Sequence, residues 1–83
     1  MPPLTLSRVN DLVYQVLTAQ GAHVGNLKKI GAAWKFKAIG YEPEGDVVPG
    51  GGPFTDLHNT PFTDLDEVVL NAKLNPPRPT SLP

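Results

Sequence analysis

Residues 33–41, Ala33-Trp34-Lys35-Phe36-Lys37-Ala38-Ile39-Gly40-Tyr41, decide how the rest of this chain is read. Trp34, Phe36, Ile39 and Tyr41 are residue types that favour a pleated, half-buried strand. Successive side chains of a strand point to opposite faces, so Trp34, Phe36, Ala38 and Gly40 fall on one side and Lys35, Lys37, Ile39 and Tyr41 on the other. Interleaved lysines and aromatics suggest a nucleic-acid surface, with ammonium groups for phosphates and rings for bases. Alternation divides that mixture. The large Trp34 and Phe36 side chains belong in a core, which leaves Lys35, Lys37 and Tyr41 as an exposed patch that Lys28 or Lys29 of a neighbouring strand would join.

Working outward, His23 to about Ile30 reads as the partner strand, with the hairpin turning near Gly31. A glycine at position 25 allows a bulge, and a bulge would shift the facing of Leu27, Lys28 and Lys29 by one. After Tyr41, Glu42-Pro43-Glu44-Gly45-Asp46 is turn chemistry, with a proline that fixes φ and a glycine free to take positive φ. Val47 and Val48 then form a short third strand.

Residues 5–20 carry Leu6, Val9, Leu12, Val13, Val16 and Leu17 at i, i+3, i+4, i+7 spacing, which predicts an amphipathic helix capped by Thr5 and closed by Gly21. The run Pro49-Gly50-Gly51-Gly52-Pro53 predicts a flexible surface connection; a phosphate-binding loop would need a lysine and a serine or threonine directly after its glycines. Pro53-Phe54-Thr55-Asp56-Leu57 then recurs as Pro61-Phe62-Thr63-Asp64-Leu65. Each copy reads as a helix start, with a threonine cap and an acid in the first turn. The first makes one turn and the second runs from Asp64 to about Leu74, where Asn75-Pro76-Pro77 ends it. Along that last helix Leu65, Val68, Val69 and Ala72 share one face, while Leu70 and Leu74 lie nearly opposite at about 100° per residue. Either the Pro- and Phe-containing loop sandwiches the helix, or its second face meets another chain, which makes Leu70 and Leu74 candidate binding residues for a second copy or another protein.

The expected fold is a small single α+β domain over residues 4–75: a helix, an antiparallel β-hairpin or three-stranded meander, and a short helix packed on one sheet face. A Pro-rich disordered tail follows over 76–83. At 83 residues the domain buries only about 60% of its unfolded surface, so it needs good packing or a partner. With no cysteine it has neither a disulfide nor a thiolate metal site, and a cytoplasmic setting is expected. The N-terminus lacks the basic and apolar segments of a signal peptide, and no run is long enough to span a membrane.

The net charge of −1 hides a sorting of charges along the chain. Lys28, Lys29, Lys35 and Lys37 form an acid-free block, whereas Glu42, Glu44, Asp46, Asp56, Asp64, Asp66 and Glu67 follow without a cation among them. Either the two blocks neutralise each other across the fold, or the first is a positive face for an anionic partner. His23, His58 and Asp56 are the only residues that suggest general-base work, with no triad or metal-ligand spacing around them, and no cofactor is expected. The function that follows is a non-enzymatic binding or regulatory module engaging a protein, itself or another, through a sheet edge or the second face of the last helix. The alternative is a nucleic-acid-binding module using Lys28, Lys29, Lys35 and Lys37, against which the acidic second half speaks. A small enzyme around His58 and Asp56 is a distant third.

Overall fold

The computed structural model describes residues 2–75; the tail expected over 76–83 lies outside the described residues. Those residues form six strands, one helix and one 3₁₀ turn: β1 (Thr5–Asn10), β2 (Val13–Leu17), β3 (His23–Ile30), β4 (Ala33–Tyr41), β5 (Val47–Pro49), the 3₁₀ turn Thr55–Leu57, β6 (Pro61–Phe62) and α1 (Glu67–Leu74). The sheet is an antiparallel meander in the order β1-β2-β3-β4-β5, with β6 also pairing with β4. The α+β class, the central hairpin and the third strand at Val47 are as the sequence predicts.

The N-terminal helix is not. Residues 5–17 form the hairpin β1-β2, in which Thr5 faces Leu17 and Ser7 faces Gln15. The helical spacing of six apolar residues conceals a period of two, since Leu4, Leu6, Tyr14 and Val16 are the residues that join or pack on the core. Val9 and Leu12, which a helix would have buried, are instead exposed. Turn chemistry at Asn10-Asp11 decides between the two periods. The Asn10 Oδ1 accepts the Leu12 N–H at 2.8 Å, a local bond that competes with helical pairing and reverses the chain. Gly21 does take the left-handed conformation, at φ 86°, but in the turn between β2 and β3.

One face of the sheet is covered by Leu4, Phe54, Phe62 and α1, which close a core over Val16, Val24, Leu27, Trp34, Phe36 and Ala38. In β4 the alternation is complete, with Trp34, Phe36, Ala38 and Gly40 buried. Both copies of the repeated pentapeptide put their phenylalanine into this core, but only the first becomes a turn of helix, and the second is strand β6. The helix begins later than Asp64 because Asp66 caps it, its carboxylate accepting the N–H groups of Val68 at 2.8 Å and Val69 at 3.4 Å.

That start sets the rotation of α1. Leu70 and Leu74, one turn apart, point inward at 0% and 3% exposure, while Val68 is 79% exposed. Of the two covers open to that face, the chain itself supplies one, so Leu70 and Leu74 are core and not an exposed binding surface.

Candidate functional site: the open face of the sheet

Opposite the core, the sheet has a face that no helix of the described residues covers. Register assigns its residues. Lys28 stands directly across from Lys35, and Asn26 across from Lys37; Gln15 continues the second row on β2, and Val13 the first. Beyond a bulge at Val24, His23 lies across from Leu17. On the other flank Ile39 pairs with Pro49 and Tyr41 with Val47. The bulge expected at Gly25 is thus one residue away, and it leaves Lys28 and Lys29 facing opposite sides. Lys29 is on the covered side, its ammonium 5.5 Å from the Trp34 ring centre. Of the four lysines expected to act together, Lys28, Lys35 and Lys37 share the open face and Lys29 does not.

Hydrogen bonds hold several of these side chains. His23 bridges the face, with Nε2 2.8 Å from the Asn26 Oδ1 and Nδ1 2.8 Å from the Tyr41 hydroxyl. Because an amide oxygen only accepts, the His23 Nε2–H donates to Asn26, and the Tyr41 hydroxyl, which can donate or accept, meets Nδ1. Tyr41 remains 51% exposed, its ring 6.1 Å from that of His23. Lys37 donates to the Asn59 Oδ1. Asn59 is the one non-glycine residue in the left-handed region among those described, at φ 74°, a conformation asparagine tolerates better than most.

Electrostatics sets this face apart. None of the six strands contains an aspartate or glutamate. The acids lie in turns and on α1, and among the described residues the only ion pair is Arg8 with Asp11. The basic and acidic blocks therefore do not neutralise each other by direct pairing. Lys28 and Lys35, as direct cross-strand neighbours of like charge, destabilise the hairpin they sit on.

At the junction of β4 and β5 the face sinks into a groove of about 330 Å³. It is lined by Asn26 and Lys28 on β3, by Lys37 and Ile39 on β4, by Val47 and Pro49 on β5, and by Gly50 and His58. Between β6 and β5 the β4 backbone has no strand partner, and His58 fills the gap by accepting the Ala38 N–H on Nδ1 at 3.0 Å. The Gly50 N–H donates to the Ala38 carbonyl at 2.8 Å, so the glycine run is an ordered part of the sheet's flank. His58 makes its hydrogen bond to backbone and not to Asp56, and the Asp-oriented histidine of a catalytic pair is not formed. Among the described residues no three His, Cys, Asp or Glu side chains converge as a metal site would require.

The sheet edges offer less than the face. Along β1, the outward N–H groups of Leu4 and Leu6 donate to the Asn71 Oδ1 at 2.7 Å and the Glu67 Oε2 at 2.8 Å, and Asn71 donates back to the Leu4 carbonyl. Side chains of α1 thus occupy the N-terminal end of the edge that an incoming strand would use. On the other flank β5 is three residues long and β6 two, each containing a proline. Sequence reasoning missed His23, Asn26 and His58 as members of one surface. The register set by the Gly31 turn places Asn26 opposite Lys37, but nothing local in the sequence brings His58 to β4.

No known protein-family model matches the chain, and no curated protein and no solved structure matches it either. Among the described residues no helix is long and apolar enough to cross a membrane.

Proposed function

We propose that this domain is a non-enzymatic binding module that lays a nucleic acid, single-stranded at the point of contact, across the open face of its sheet. The observation that carries the reading is the cross-strand pair Lys28 and Lys35 with Lys37 beside it, on a face whose strands contain no carboxylate. A like-charge pair costs stability unless an anion neutralises it, and phosphates are the anions that rows of lysine contact most readily. Tyr41 adds an exposed ring and His23 a half-buried one to the same face, where unstacked bases can lie.

A protein partner is the weaker reading for three reasons. Leu70 and Leu74 are buried, α1 side chains occupy the N-terminal end of the β1 edge, and lysine is depleted in the cores of protein interfaces. The cytoplasmic setting expected of a chain without cysteine is part of the same proposal.

The test is fluorescence anisotropy of a dye-labelled single-stranded oligonucleotide at low salt, with an oligoglutamate peptide as competitor. The expected result is saturable binding that weakens in Lys35→Ala and is not competed by the peptide. Efficient competition by oligoglutamate would move the assignment to an acidic protein, and no oligonucleotide binding would end the nucleic-acid reading.

A further inference from the structure

The groove at the β4–β5 junction has features that a generic basic surface lacks. Its volume of about 330 Å³ is at the lower end of what small ligands occupy. It is divided by chemistry. Asn26 and Lys28 on β3, with Lys37 across from Asn26, supply two ammonium groups and an amide toward the β3 side, and Ile39, paired with Pro49, and Val47 supply apolar surface toward the β5 side.

Two details show polar groups set in advance. First, the Ala38 N–H points at the His58 Nδ1, so that nitrogen is unprotonated and the ring hydrogen sits on Nε2, leaving a donor on the ring that closes the groove. Second, Lys37 is held by the Asn59 side-chain oxygen, and Asn59 is itself fixed by its N–H donating to the Phe36 carbonyl at 2.7 Å. Gly50, at φ 78°, lies beside the His58 ring, where an added Cβ would sit 3.8 Å from Nε2.

Donors and cations at one end with an apolar wall at the other suit a ligand that is anionic at one end and flat and weakly polar at the other. We infer that the groove seats one nucleotide, its phosphate toward Lys28, Lys37 and the His58 Nε2–H, and its base against Ile39 and Pro49. This rests on the nucleic-acid reading and adds to it the point where a strand is gripped and not merely attracted. The same chemistry belongs to a free nucleoside monophosphate and to a nucleotide within a strand.

The test fills the groove without removing a charge. Val47 is 53% exposed, so Val47→Trp leaves the core intact while placing an indole in the groove. Oligonucleotide affinity should fall about tenfold, the size of one lost base contact, with the salt dependence unchanged because all three lysines remain. Amide shifts in ¹⁵N spectra titrated with a nucleoside monophosphate, and separately with the oligonucleotide, distinguish the two sources. Shifts at Asn26, Ile39 and Gly50 with the mononucleotide alone would keep the groove as a free-nucleotide site and overturn the strand reading. Oligonucleotide binding of wild-type strength in Val47→Trp would overturn the groove and leave the face standing. Absence of both kinds of binding would overturn both.

Discussion

Truncating Leu70 to alanine separates the observed rotation of α1 from the one its sequence pattern suggests. Leu70 is fully buried at the centre of the contact between α1 and the sheet. The change removes three carbons, worth about 0.8 kcal/mol each by transfer, and leaves a cavity that the sheet cannot collapse to fill, so the expected loss is about 3 kcal/mol. A chain of 83 residues has a total stability of about 4–12 kcal/mol, so this is a large part of it, and the melting temperature should drop by about 12–24 °C. Urea titration followed by the fluorescence of Trp34, the only tryptophan and 6% exposed in the same core, reads the change directly. Val68→Ala is the control, because a side chain 79% exposed should alter stability by no more than about 0.5 kcal/mol. Equal small effects for the two variants would refute the packing and return Leu70 to the surface.

Three further outcomes follow from local geometry. Gly40→Ala puts a Cβ 2.6 Å from the Gly52 amide nitrogen, backbone against backbone, and should cost about 1–3 kcal/mol in the same urea titration. Asp66→Ala removes the cap of α1 and should cost about 1 kcal/mol by thermal melting, whereas Asp66→Asn stays near wild type. Lys28→Glu replaces a like-charge pair with an opposite-charge one, so it should raise stability by about 0.2–1 kcal/mol at low salt while weakening oligonucleotide binding. A variant that is less stable, or that binds as before, would contradict the role given to that pair.

The central hairpin was legible because two signals agreed on it: β-forming residues at alternate positions and a glycine where the chain must turn. The facing of Trp34, Phe36, Lys35 and Lys37 followed from the period of two alone. The β1-β2 hairpin was not legible, because six apolar residues fit a helix as well as a strand pair, and the deciding bond from Asn10 to Leu12 is a turn signal only two residues long. The face of α1 was missed because both of its sides carry apolar residues, and a cap at Asp66 in place of Thr63 takes Leu65 out of the helix and so weakens the side that Val68 and Val69 share. The candidate site was half legible. Lys28, Lys35, Lys37 and Tyr41 were found from the strand, while His58 reaches β4 through a backbone gap that exists only once β5 and β6 have paired on either side of it.

The central claim is that three lysines on the open face contact phosphates, and the salt dependence of single-stranded oligonucleotide binding tests it most directly. Each phosphate contact contributes about 0.7 to the log-log slope for a single strand, so the native protein should show a slope of about −2. The Lys28→Ala, Lys35→Ala, Lys37→Ala triple variant, checked for folding by Trp34 fluorescence, should lose most of its affinity and most of that slope. A native slope near zero, or a folded triple variant with wild-type affinity and slope, would contradict the claim.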